Sequence, residues 1–171
     1  MASLVLTVTG DDRQGIVAAV SAAIKDSGGL WESGHFSHLG GKFAGVLLVR
    51  VPDAAVGLLD DALGPLAEQG ITVSVERTDE PAPTYTDALH LDLIGADRPG
   101  IVAEISSLLA SRGVSIEELE TSTEDAPMSG GLLFRARALL AAPVGSDHEE
   151  LRGALESVAD ELMVDLTLRD D

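Results

Sequence analysis

The chain of 171 residues contains no cysteine, which excludes a disulfide framework, a thiolate metal centre and a cysteine nucleophile. Aromatic residues are almost as scarce: one tryptophan, one tyrosine and three phenylalanines. Burial must therefore rest on valine, leucine, isoleucine and alanine, an aliphatic interior of sheets and helices. Lysine and arginine number 11 against 29 aspartates and glutamates, giving a formal net charge of −18. A surface that tracks phosphates needs clustered cations, and these are scattered, so direct nucleic-acid binding is not expected and an anionic membrane would repel the chain. No apolar run approaches the roughly 20 residues of a membrane span. The first residues alternate apolar with polar side chains behind no basic segment, unlike a secretory leader. A cytoplasmic location is the resulting expectation.

Chemistry is missing too. There is no GxSxG elbow, phosphate-binding glycine loop or HExxH helix, and the four histidines make no nucleophile–base arrangement. His35 and His38 stand three apart in an expected strand, so they point to opposite faces and cannot easily share a metal ion. The acidic stretch Glu117, Glu118, Glu120, Glu124 and Asp125 reads as a solvated strand and loop, since carboxylates at successive strand positions face opposite ways. The expectation is a non-enzymatic protein with no cofactor and no metal.

What is present is a duplication. Residues 10–18, GDDRQGIVA, return 85 positions later as GADRPGIVA at 95–103, with seven of nine identical. At the same offset Leu4, Leu6 and Val8 align with Leu89, Leu91 and Leu93, and Gly28 with Gly113. Two copies fill the chain: a first domain over 1–77, a linker over 78–86 that carries Pro81 and Pro83, and a second domain over 87–171.

Each copy reads as strand, helix, strand, strand, helix, strand. In the first, Leu4, Leu6 and Val8 alternate as a half-buried strand over 4–9. Ile16, Val20, Ala23 and Ile24 fall on one face of a helix over 14–27 that Gly28 ends. Strands over 30–39 and 42–51 turn at Gly40-Gly41. Val56, Leu59, Leu63 and Leu66 mark a second helix interrupted by Gly64-Pro65, and Ile71, Val73 and Val75 close the unit. The second copy repeats the order over 89–94, 99–112, 114–123, 132–140, 146–160 and 162–168. This pattern predicts an α+β protein of two ferredoxin-like βαββαβ domains. Each should be a four-stranded antiparallel sheet of order 4-1-3-2 with both helices on one face. On the uncovered face the second copy is expected to show His90, Asp92, Arg135, Arg137, Asp165 and Thr167. The first should show Thr7, Ala44, Val46, Leu48, Thr72 and Ser74, an apolar middle strand that predicts a homodimer or another covering surface.

The loop between first strand and first helix is the candidate site. A helix start exposes unpaired amide N–H groups at the positive end of its dipole, and Gly15 or Gly100 would let an anion approach the backbone. Pro99 should stiffen the loop and leave Asp97 or Arg98 as the helix cap. A capped turn that binds nothing is the plain alternative. Trp31 reads as core or interface packing in preference to ligand stacking.

The repeated Gly-x-Asp-Arg-x-Gly-Ile-Val loop resembles that of the ACT domain family, small regulatory modules that sense amino acids, and the resemblance spans nearly the whole chain. The two-copy organisation is similar to the tandem ACT proteins of the glycine cleavage system transcriptional repressor family. That resemblance implies an amino acid or related small carboxylate as effector and a protein partner, either a transcription regulator or a biosynthetic enzyme. Loss of the ligand to leave a dimerisation module also stays open. It further implies ligand contacts at Asp12, Arg13, Gln14, Gly15 and Ile16, with Leu30 and Trp31, and at Asp97, Arg98, Pro99, Gly100 and Ile101, with Ser115 and Ile116. Ligand-binding members often place asparagine where this chain has Leu30 and Ser115. A serine can still hydrogen-bond an effector and a leucine cannot, which favours the second copy.

Overall fold

The computed structural model describes residues 1–79, 85–127 and 130–170. The chain divides into two compact units, Met1–Pro81 and Ala82–Asp171. The first runs β1 (Ala2–Asp11), α1 (Ile16–Asp26), β2 (Leu30–Leu39), β3 (Lys42–Val51), α2 (Val56–Leu63) and β4 (Ile71–Arg77). The second runs β5 (Tyr85–Ala96), α3 (Ile101–Ser111), β6 (Ser115–Asp125), β7 (Leu132–Pro143), α4 (His148–Leu162) and β8 (Val164–Asp170). The linker expected over 78–86 falls largely on residues 80–84, outside the described residues.

Both sheets are antiparallel, in the orders β2-β3-β1-β4 and β6-β7-β5-β8. This is the 4-1-3-2 order that the element pattern predicts, read from the other edge. Alternation in β1 sends Leu4, Leu6 and Val8 inward, where all three are fully buried against Val20 and Ile24 of α1 and Leu59 of α2. In the second unit Leu89, Leu91 and Leu93 meet Ile105 and Leu109 of α3 and Leu155 of α4. Each such side chain contributes about 1.5–3 kcal/mol by leaving water.

The second helix of the first unit breaks where its sequence says it must. α2 ends at Leu63, and a 3-10 turn over Gly64–Gln69 with Pro65 at its start carries the chain on. Proline has no N–H to give and its ring clashes with the preceding turn. Leu66 is nevertheless buried, so the apolar stripe survives the break. In the second unit α4 runs unbroken, and the Asp147 side chain accepts a hydrogen bond from the Glu150 amide at 3.0 Å to cap it.

The uncovered faces differ as expected. In the second unit Arg135 meets Glu124 at 3.0 Å, and Arg137 (3.7 Å) and Arg169 converge on Asp92. In the first unit Val46 stands 50% exposed on the corresponding face.

One local feature sets the first unit apart. Trp31, Phe36 and Phe43 form a continuous aromatic stack along the helix-facing side of β2 and β3, with ring centroids 5.6 and 5.5 Å apart. The stack exists because Gly45, paired with Phe36 across the strands, has no side chain; a Cβ there would fall inside the Phe36 ring. Gly45→Ala should therefore destabilise the chain by about 1–3 kcal/mol, as overpacking does. In the Phe36→Ala background the same substitution should cost much less. Urea midpoints of the two single variants and the double variant measure that coupling.

Candidate ligand site: two strand–helix loops and the groove beside them

In both units the loop after the first strand continues the ladder and then turns sharply. The Asp12 amide donates to the Gly41 carbonyl at 2.9 Å, and the Asp97 amide to the Leu132 carbonyl at 2.8 Å. Gly15 and Gly100 follow at φ of 91° and 98°, the left-handed region, and the helices begin only at Ile16 and Ile101. Neither glycine lies in the first turn: each occupies the cap position, and its carbonyl accepts from Ala19 or Glu104 at 2.9 Å. No side chain caps either helix. The expected cap at Asp97 or Arg98 is thus corrected to Gly100, because the left-handed turn brings the backbone round without a capping side chain. The first-turn amides of residues 16–18 and 101–103 have no partner within their helices and face the positive end of the dipole.

The arginines are engaged elsewhere. Arg98 Nη2 donates to the Glu161 carbonyl at 3.0 Å, at the C-terminal end of α4, and Arg13 Nη2 donates to Gln69 Oε1 at 3.1 Å, at the end of the corresponding helical segment. Each therefore ties its loop to the far end of the second helix, where a cation also complements the dipole. Asp12, Gln14 and Pro99 are exposed, while Ile16 and Ile101 are core residues at 2% and 3% exposure. Beside the first loop, the hydrogen bond from Lys42 and its charge hold Asp11 below the usual carboxylate range.

Ser115 and Ile116 do not meet the second loop within their own unit. Ser115 pairs with Ala141, whereas Asp97 is bonded to Leu132, nine residues away along β7. At about 3.3 Å per residue the two groups lie some 30 Å apart, at opposite ends of the sheet. Leu30 and Trp31 stand in the same relation to residues 12–16, since Leu30 pairs with Arg50 while Asp11 pairs with Lys42.

What joins the two ends in the second unit is a narrow apolar groove between α3 and the edge strand β6. It is shallow, with about 20 Å³ of room, enough for a single water, and Ile101, Val102, Ile105, Ile116, Leu119 and Phe134 line it. Val102 and Leu119 are 43% and 47% exposed at its mouth. In the first unit the corresponding groove is filled. At the offset of 85, Trp31 stands for Ile116, Gly34 for Leu119 and Phe36 for Thr121, and the aromatic stack occupies the space. The loop motif already points to Ile101 and Ile116 but not to Leu119, which a position-by-position comparison of the two copies along the second strand would have found.

His35 and His38 do face opposite ways, paired with Val46 on the open face and Phe43 on the helix face. Among the described residues no group of acidic or histidine side chains could hold a metal ion. In β6, Glu118, Glu120 and Glu124 share the open face by ordinary alternation, and an irregularity between Ile116 and Glu118 brings Ile116 onto the helix face with Leu119.

The left-handed glycines carry a direct test. A Cβ at position 100 would meet nothing within 4 Å, so any cost of Gly100→Ala comes from backbone conformation alone. Loss of about 1–2 kcal/mol in urea unfolding is expected.

An ACT domain model matches residues 2–76, and a second ACT domain model matches residues 91–139. A glycine cleavage system transcriptional repressor of Escherichia coli is 25% identical over 162 residues, covering 93% of this chain and 85% of that protein. The crystal structure of an unknown protein from Galdieria sulphuraria superimposes with a TM-score of 0.88 at 35% identity, covering 99% of this chain and 98% of the other. A crystal structure provisionally described as a glycine cleavage system transcriptional repressor gives 0.73 at 18% identity, covering 99% and 97%, a likeness of fold. With both halves matched and the βαββαβ topology present twice, this chain belongs to the ACT domain family, as a tandem regulatory protein related to the glycine cleavage system transcriptional repressor.

Proposed function

We propose that the chain is a non-enzymatic cytoplasmic regulator that senses an amino acid or related small carboxylate and passes that state to a protein partner. The observation that carries the reading is the set of uncapped first-turn amides of α3, and a narrow, wholly apolar groove runs beside the same helix. A carboxylate held by the amides of residues 101–103 leaves an aliphatic or small side chain directed along an apolar wall. The tie of Arg98 to α4 leaves the backbone amides as the principal anion donors. Because Ser115 lies at the other end of the sheet, it can complete such a site only from a second copy of the chain, which accords with a homodimer. The name of the Escherichia coli relative supports a role in transcriptional control of glycine or one-carbon metabolism. The net charge of −18 supports control through a regulator protein instead of DNA contact.

Calorimetry of the pure chain against the twenty amino acids tests the reading. Val102→Glu places a carboxylate at the first turn of α3, a position that favours the helix but repels an anionic ligand, and should weaken binding by at least about tenfold. Val17→Glu in the first unit should leave affinity unchanged. Absence of any binding, or loss in the Val17 variant alone, overturns the proposal.

Val46 gives a separate outcome. If the open face of the first unit is the dimer surface, light scattering should report a dimer, and Val46→Asp should reduce it to a monomer without loss of fold.

A further inference from the structure

We propose that the loop end of the second unit, where Ala96, Pro99, Leu132 and Met163 come together, docks a protein partner that presents apolar side chains bordered by lysine or arginine. The inference rests on the reading that the chain acts through a protein partner, and adds the surface and the chemistry that this partner must match.

The four residues are neighbours through the sheet and not through the sequence. Ala96 pairs with Leu133, and the Asp97 amide donates to the Leu132 carbonyl at 2.8 Å. Gly95 and Val164 form the last rung between β5 and β8, so Met163 stands one step beyond it, beside Ala96. Arg98 ties the loop that carries Pro99 to the Glu161 carbonyl, two residues before Met163. Leu132 is 50% and Met163 74% exposed, and Ala96 and Pro99 are exposed as well.

The first unit shows that the fold does not require such an end. By the same pairings and offset, Asp11 stands for Ala96, Gln14 for Pro99, Gly41 for Leu132, Lys42 for Leu133 and Gly70 for Met163. Asp11 and Lys42 form an ion pair there. Each position that is polar or glycine in the first unit is apolar in the second. At Met163 the change also runs against the backbone. Gly70 and Met163 both end a helical segment in the left-handed region, at φ of 78° and 54°, and Met163 is the one non-glycine residue with positive φ among the described residues. A side chain is disfavoured in that conformation, and this one recovers little by burial. A Cβ on Gly70 would meet nothing within 4 Å, so packing within the unit does not call for a side chain at this place. Strain kept at an exposed thioether points to a contact outside the unit, and the flexible, polarisable methionine side chain adapts well to a partner's surface.

Charge selects the occupant. Asp97, Asp160, Glu161 and Asp165 border the patch, all of them exposed, and none forms an ion pair with a cation among the described residues. Arg98 is engaged by the Glu161 carbonyl and Arg135 by Glu124. An apolar centre within an acidic rim is complementary to an apolar cluster flanked by cations. A second copy would set carboxylates against carboxylates, and an anionic membrane would meet the same repulsion.

The test uses the full-length chain and a short fluorescent peptide of leucine and lysine, spaced so that its helix has one leucine face flanked by lysines. Two controls accompany it: the same composition scrambled so that no apolar face forms, and the amphipathic peptide with glutamate in place of lysine. The leucine–lysine peptide should bind, and both controls should bind at least about tenfold more weakly. Met163→Gly should weaken binding severalfold while raising the urea midpoint, because it removes the contact and relieves the backbone together. Leu132→Ser should also weaken binding severalfold, whereas Leu58→Ser, at an exposed leucine of α2 in the first unit, should leave it unchanged. Equal binding of the scrambled peptide shows charge attraction alone and overturns the proposal. Unchanged affinity in Met163→Gly overturns it too, as does a lowered urea midpoint, which would make Met163 a residue that serves the fold. Self-association that Met163→Gly abolishes makes the occupant a second copy and likewise overturns it. Amino-acid titration of the same samples separates the two readings. Effector binding without peptide binding removes this surface and leaves the sensor, whereas peptide binding without any effector leaves this surface and removes the sensor.

Discussion

Two helices have to cover four strands in each unit, and they only just reach. Four strands at about 4.8 Å spacing make a sheet roughly as wide as two helices of about 10 Å diameter laid side by side. The topology places the first helix over the β3 or β7 side of the sheet, so coverage runs out at β2 and β6. At that edge the size of a few inward side chains decides whether the space beneath the helix is closed or open.

The two copies solve the edge in opposite ways. In the first, removing side chains at Gly34 and Gly45 makes room for Phe36, and the stack with Trp31 and Phe43 seals the space with three of the five aromatic residues in the chain. In the second, Thr121 and Ala136 occupy the Phe36 and Gly45 positions, and no ring fills the gap. The sealed form is rigid but has surrendered its slot, while the open form keeps apolar surface half-exposed at Val102 and Leu119. Exposed apolar area costs about 25 cal/mol per Å², so an open groove is tolerable when something covers it part of the time.

The fold was legible because periodicity and repetition reinforced each other. Leu4, Leu6 and Val8 announce a strand, their counterparts 85 residues later repeat the announcement, and glycines mark the turns. The strands 30–39 and 42–51 have the bounds the sequence predicts, since Gly40-Gly41 fixes their turn. The site was less legible, for two physical reasons. A side chain's hydrogen-bond partner is a tertiary fact: nothing near Arg98 in sequence indicates that it reaches Glu161, 63 residues on. Adjacency in a family motif is likewise not adjacency in one unit. Ser115 precedes the first apolar residue of its strand as the motif requires, yet antiparallel pairing sets it at the opposite end of the sheet from Asp97. The carboxylates of β6 are exposed as expected, but the irregularity after Ile116, which puts Ile116 and Leu119 on the same face, is one that strand period alone cannot reveal.

The engagement of the two loop arginines bears on how a signal could leave the site. Each guanidinium joins its loop to the C-terminal end of the second helical segment, so loop position and that helix end are mechanically linked. In the second unit the acceptor is a main-chain carbonyl, which any side chain at position 161 would supply, so the link depends on the position of α4 and not on the identity of Glu161. An anion settling on the first-turn amides of α3 would lie close to Arg98 and compete with that carbonyl for the guanidinium, because a full carboxylate charge is the stronger acceptor. Release of Arg98 would free the end of α4 and the start of β8 that follows it, the edge opposite β6. Occupancy of one loop could thereby be felt at the far edge of the sheet without rearrangement of the core, which is the minimum a small sensing module needs in order to inform a partner.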